Sequence, residues 1–156
     1  MNTTEEKYSL CALNRIFGFE PKISLALISH LGSAAEVFNL NPKEIDSLLG
    51  PHSKYRGMIS EEAAAKAYQE LEQLNSQGIS FIGWNEDGYP SSLKECEDAP
   101  AGLYIRSSSQ EIFTPGRRLI SVVGTRDLSP YGKEWCGRMV AGMASTKERP
   151  VIVSGL

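Results

Sequence analysis

Three adjacent residues, Gly124, Thr125 and Arg126, combine the groups that a phosphate site requires. Glycine lets the backbone bend and lets a ligand approach closely. Threonine offers a hydroxyl group, and the planar arginine fork offers five N–H donors that suit phosphate oxygens. A strand-like run precedes these residues and a helix signal follows them, so the sequence predicts a phosphate-binding turn.

A second small loop, Ser154-Gly155, follows the next strand-like run. The carboxyl ends of parallel strands meet at one edge of an open α/β sheet, where such folds bind ligands. We therefore expect Ser154 and Gly155 to lie beside the first turn. The N–H groups and dipole of the helix that begins near Pro130 are expected to strengthen the preference for anions.

One other interpretation of these residues stays open, and several other functions lack the sequence motifs that they require. The turn could be an ordinary connection after a strand, with Arg126 as a solvent-exposed side chain that has no binding role. The GxGxxG and GxxxxGK[ST] patterns are absent, and His30 and His52 lie in no metal or triad cluster. We expect no catalytic residues, no metal and no cofactor, and hence a binding protein rather than an enzyme. Cys11, Cys96 and Cys136 have no ligand spacing and are expected to be buried free thiols.

The elements that position the turn follow a strand–helix–strand order. Residues 117–124 form an almost continuous apolar run, which is typical of a parallel strand buried on both faces. Ser129-Pro130 predicts the start of a helix that extends to about Ser145, and residues 151–153 predict the next strand. This order predicts the first part of a Rossmann-like α/β sheet.

Upstream, apolar residues recur at helical spacing and predict several short helices. The sequence predicts a helix stop and N-cap at Gly32-Ser33, another cap at Asn41-Pro42, and a long helix over residues 55–77. Strand-like runs follow at residues 79–84 and 103–106. We expect a helical domain over residues 1–78 and a Rossmann-like domain over residues 79–156.

Composition and charge fit a globular protein with an uneven charge distribution. Hydrophobic residues make up 41% and charged residues 22% of the chain. Residues 1–114 carry 9 Lys/Arg and 16 Asp/Glu (net −7), whereas residues 115–156 carry 7 and 3 (net +4). The basic segment favours a polyanionic partner. No apolar run approaches the roughly 20 residues of a membrane span, and the polar start does not resemble a signal peptide, so we expect a cytoplasmic protein with no membrane partner.

Several segments together resemble the DNA-processing protein A family, also called DprA or Smf. The resemblance implies an α/β protein with a SAM-like or helix-hairpin-helix domain and a Rossmann domain. It also implies binding of single-stranded DNA, protection of DNA entering the cell during natural transformation (competence), and loading of the recombinase RecA. The phosphate-binding role would pass to Gly124, Thr125 and Arg126. The similar segments are LISVVGTRDLSPYG at 119–132, VIVSGL at 151–156, Tyr89-Pro90, Asp98-Ala99-Pro100, Leu103-Tyr104-Ile105-Arg106 and the helical residues 13–38.

The chain also departs from the family pattern. Glu20 stands where the family hairpin has a second glycine, so a carboxylate lies where a phosphate would approach, and we expect no DNA binding by the helical domain. A family Rossmann domain continues past the SGL loop, so we expect a truncated chain; the resemblance implies a homodimer for the full-length protein. The alternative is a nucleotide or phosphoribosyl hydrolase of the lysine-decarboxylase-like Rossmann group, whose first turn can also read G-S/T-x-R.

Overall fold

The computed structural model describes residues 3–108 and 116–155. The chain forms two compact units that divide between residues 113 and 114. The first combines six helices, and the second one helix, with a small two-stranded sheet among the described residues, so the fold is of mixed α/β class.

Five helices form most of the first unit, and the local sequence explains their ends. Gly32 takes a left-handed conformation (φ 88°) that ends α2, and the Ser33 hydroxyl accepts the Glu36 N–H of α3. Asn41 and Glu44 form a capping box at the start of α4. All these caps were predicted. The helices are α1 (Thr3–Ile16), α2 (Pro21–Leu31), α3 (Ala34–Phe38), α4 (Pro42–Leu49) and α5 (Glu61–Ser76).

The predicted long helix starts later than expected. The sequence predicted a helix from residue 55, whereas α5 begins at Glu61, with the Ser60 hydroxyl accepting the Ala63 N–H at 3.2 Å. Tyr55 instead lies in a turn, is 6% exposed, and packs its ring against Phe17 with centroids 4.6 Å apart. The Ser60 cap marks the start of the helix, and the residues before it form a turn in which the Tyr55 ring is buried.

An antiparallel hairpin packs against α1 and α5. Its strands are β1 (Ile79–Gly83) and β2 (Gly102–Arg106), with the short helix α6 (Ser91–Lys94) in the connection. Phe81 from β1 joins the core formed by α1, in which Leu10 and Leu13 are at most 1% exposed. The sequence assigned this hairpin to the Rossmann-like segment, whereas its apolar face is buried against the helices. The functional boundary after residue 78 stays a prediction.

The second unit is a strand–helix–strand segment. Its elements are β3 (Leu119–Val122), α7 (Pro130–Ala144) and β4 (Val151–Ser154). The strands are parallel, with Leu119 paired to Val151 and Val122 paired to Ser154. The order and the parallel pairing follow the sequence prediction, although β3 is shorter than the predicted run of residues 117–124.

The strands of this sheet are not buried on both faces in the described residues. Leu119 is 50% and Val153 is 44% exposed. Val153 pairs with Ser121, two positions from Leu119, so both side chains lie on one face of the sheet. We call the face that carries Leu119, Ser121, Val151 and Val153 the open sheet face. An apolar face without cover favours contact with a second copy of the chain, so we expect self-association through it.

Within residues 3–108 and 116–155, no helix is both long enough and apolar enough to cross a membrane.

Candidate phosphate-binding site

The turn after β3 is held by its own side chains. The Thr125 hydroxyl oxygen accepts the Asp127 N–H at 3.2 Å, which closes a local turn. Accepting this bond leaves the hydroxyl hydrogen of Thr125 available as a donor. A Cβ placed on Gly124 would approach only the Leu128 Cδ2 atom, at 3.7 Å, which is an ordinary contact. The described part of the fold therefore does not itself require glycine at position 124.

The start of α7 offers fewer free donors than the sequence suggested. Ser129 caps the helix: its hydroxyl accepts the Gly132 N–H at 3.1 Å, and its carbonyl accepts the Lys133 N–H at 3.0 Å. Pro130 has no N–H group. Among the first four helical positions, only the N–H of Tyr131 is left without one of these partners. The anion preference of this helix end consequently rests mainly on the dipole and on one N–H group.

The loop after β4 lies beside the turn after β3. Val122 pairs with Ser154, so both strands end at the same edge of the sheet. A cavity of about 450 Å³ at this edge is lined by Gly124, Thr125, Ser154 and Gly155. The Ser154 hydroxyl donates its hydrogen to the Gly155 carbonyl at 3.2 Å, so this hydrogen is already in a hydrogen bond. The structure thus brings four of the five predicted residues together; their phosphate-binding role stays a prediction.

The fifth predicted residue, Arg126, is exposed and does not line this cavity. No described residue gives its guanidinium a hydrogen bond or an ion pair. Two other arginines of this unit are paired: Arg118 lies 3.6 Å from Glu148, and Arg138 lies 2.8 Å from Glu134. The Arg126 guanidinium, in the turn that borders the cavity, is therefore unpaired among the described residues.

Sequence reasoning missed the apolar wall of the cavity. Met139, Val140 and Met143 of α7 line it, together with Leu128 and Trp135. The available signal was the helical spacing of apolar residues along 128–143, which lie on one side of α7. The site therefore combines a polar rim at the strand ends with an apolar wall on the helix.

The hairpin between α1 and α2 has a different electrostatic character. The Glu20 carboxylate accepts a hydrogen bond from the Lys54 ammonium at 2.5 Å, and this bond holds the pKa of Glu20 below its ordinary value. The carboxylate is thus charged at neutral pH. Phe19, directly before it, is fully exposed.

Metal and thiol chemistry find little support in the described part of the chain. No group of three or more His, Cys, Asp or Glu residues there could hold a metal ion. Cys11 is buried, as predicted, and burial raises the pKa of its thiol. Cys96 is exposed and Cys136 is only partly buried, so the prediction of burial was wrong for these two. Cys96 follows the short helix α6, and Cys136 lies on the cavity side of α7.

Fold and site together define an α/β protein with a candidate ligand site at the carboxyl edge of two parallel strands. Residues 80–156 match the family described as "DNA recombination-mediator protein A". The chain is also 32% identical over 96 residues to "DNA processing protein DprA" of Bacillus subtilis (strain 168). This alignment covers 62% of the chain and 31% of the relative, so the chain spans about a third of that protein's length. The matched part of the chain, residues 80–156, therefore belongs to this family.

Proposed function

We propose that this chain binds single-stranded DNA through the edge formed by the turn after β3 and the loop after β4. Residues 1–78 would then form a SAM-like helical domain and residues 79–156 the opening part of a Rossmann-like domain. Within a longer family protein, the chain would act in the cytoplasm to protect incoming DNA and to assist loading of the recombinase RecA in natural transformation. The homodimer is part of the same proposal.

The observation that carries the proposal is the shared cavity of the two small loops. Gly124, Thr125, Ser154 and Gly155 line one cavity, although 29 residues separate Thr125 from Ser154 in sequence. A Cβ on Gly155 would meet nothing within 4 Å, and one on Gly124 would make only an ordinary contact. Glycine at both positions is thus best explained by the close approach of a ligand backbone.

Charge supports a polyanion as this ligand. The segment that contains the cavity, residues 115–156, has a net charge of +4, whereas residues 1–114 have −7. Arg126 has no partner among the described residues, so its guanidinium can bind phosphate without first breaking an ion pair. Association driven by such charges depends on salt because counterions are released.

We propose binding rather than catalysis at this edge. Among the described residues, those that line the cavity include no histidine, aspartate or glutamate, although Cys136 contributes a thiol. General acid–base catalysis, which transfers a proton through such a positioned side chain, has no group of these types there. The rim instead offers backbone and hydroxyl groups, which suit the recognition of phosphate.

The test is a fluorescence anisotropy titration of the whole chain with single-stranded and double-stranded oligonucleotides over a series of salt concentrations. We expect preferential binding of the single strand, weakening as salt rises. Binding that is undetectable at low salt, or equal for the two forms, would contradict the proposal.

A further inference from the structure

Helix α7 carries two adjacent aromatic side chains that remain accessible. Tyr131 is 69% and Trp135 is 44% exposed, and their ring centroids lie 5.9 Å apart with planes inclined by 56°. The guanidinium carbon of Arg138 lies 5.5 Å from the centroid of Trp135, a cation–π distance. We call Tyr131, Trp135 and Arg138 the aromatic cluster.

The aromatic cluster borders the same cavity as the phosphate turn. Trp135 lines the cavity together with Gly124 and Thr125. A strand of nucleic acid alternates charged phosphates with flat bases, and proteins that bind single strands pair a positive groove with aromatic platforms. A tryptophan and a glycine turn in one cavity offer partners for both parts of a nucleotide.

We infer that Trp135 stacks against a base of a single strand whose neighbouring phosphate lies at Gly124 and Thr125. This inference rests on the proposed function and assigns the base-contacting residue. The rings of Tyr131 and Trp135 are already at contact distance from each other, so a base stacks on Trp135 and does not insert between the rings. Tyr131 acts as a positioning residue that supports the indole.

Charge identifies nucleic acid as the occupant of this surface. The cluster includes a guanidinium against the indole, and Arg126 and Lys133 have no ion-pair partner among the described residues. Arg138 is paired with Glu134, but residues 115–156 keep a net charge of +4, so an apolar patch on this segment matches a polyanion with flat bases better than an apolar segment of protein.

The experiment uses the intrinsic fluorescence of Trp135. The chain has two tryptophans, so Trp84→Phe leaves Trp135 as the sole reporter. The Trp84 Nε1 group is buried and has no partner in the described residues, so this replacement removes no observed hydrogen bond. In the Trp84→Phe chain, a thymidine strand of about 16 nucleotides should quench the fluorescence, whereas an abasic strand of equal length should bind more weakly and quench little.

Three variants complete the test. Trp135→Ala should weaken binding of the thymidine strand about tenfold and leave binding of the abasic strand nearly unchanged. Trp135→Phe should restore most of the affinity, because a ring remains. Phe19→Ala removes a fully exposed aromatic ring from the acidic part of the chain and should have no effect.

The outcomes separate this inference from the proposed function. Suppose that the parent binds the thymidine strand and that Trp135→Ala changes this affinity as little as the control Phe19→Ala does. The base then does not stack on Trp135, and only the inference fails. Equal loss of affinity for the abasic and thymidine strands in Trp135→Ala also overturns the inference, because the effect of the indole then does not depend on a base. If the parent binds neither strand, the proposed function itself fails.

Discussion

Replacement of Arg126 by alanine tests whether the turn after β3 holds phosphate. Arg126 is exposed and unpaired among the described residues. Its removal therefore breaks no observed contact, and the free energy of unfolding should change by no more than about 0.5 kcal/mol. Any larger effect on DNA affinity then reports a lost contact with the ligand.

The expected loss follows from one charged donor fork on one phosphate. A hydrogen-bonded contact to a charged group contributes about 1–3 kcal/mol, so affinity for single strands should fall about 5- to 150-fold at low salt, whatever the base sequence. Each phosphate contact on a single strand contributes about 0.7 to the slope of log affinity against log salt. Between about 50 and 200 mM salt, the ratio of parent to variant affinity should consequently shrink about 2.6-fold.

Arg118→Ala is the matched control. It removes the same charge from the same unit, but Arg118 precedes β3 and lies near Glu148, at the opposite end of the strand from the turn. Anisotropy titrations of both variants should show a large loss for Arg126→Ala, a small one for Arg118→Ala and partial recovery in Arg126→Lys, which keeps the charge but lacks the fork. Equal losses for the two alanine variants, or no loss in a folded Arg126→Ala chain, would refute the reasoning.

Further predictions concern the fold and the division of charge. Gly102→Ala should lower the free energy of unfolding by about 1–3 kcal/mol in urea melts, because the new Cβ would lie 2.0 Å from the buried Phe81 ring. Gly137 has open space around it, so the control Gly137→Ala should be neutral or stabilising. The unit of residues 1–113 should bind no single-stranded DNA at physiological salt, and micromolar, salt-sensitive binding would contradict this. The whole chain should self-associate through the open sheet face and bind a hydrophobic dye; a monomer by light scattering that binds no dye would count against it.

Features set by short-range chemistry could be predicted from the sequence. The caps at Ser33, Asn41 and Ser129 form hydrogen bonds within three residues, so residue types alone indicate them. The glycine turn and the Ser154-Gly155 loop were predicted as a pair because parallel strands end at one edge. Their shared cavity agrees with that expectation, while their role in phosphate binding remains to be tested.

Features that depend on distant partners were decided only by the tertiary structure. Tyr55 is buried against Phe17, 38 positions away, and helical propensity cannot reveal that contact. The hairpin joins the helices because Phe81 is buried with Leu10, although its residue types suit either unit. An apolar strand likewise does not reveal whether its neighbours cover it.

The candidate site also combines features that the local sequence indicates with features that only tertiary packing sets. Its phosphate-binding groups are adjacent in sequence, and glycine, hydroxyl and guanidinium chemistry is readable from Gly124, Thr125 and Arg126 alone. The placement of Trp135 in the same cavity depends on how α7 lies against the strand ends, which no local pattern specifies. The sequence by itself therefore determined which groups could meet a phosphate, whereas the tertiary structure decided which aromatic ring stands beside them, because that position arises from packing between elements distant along the chain.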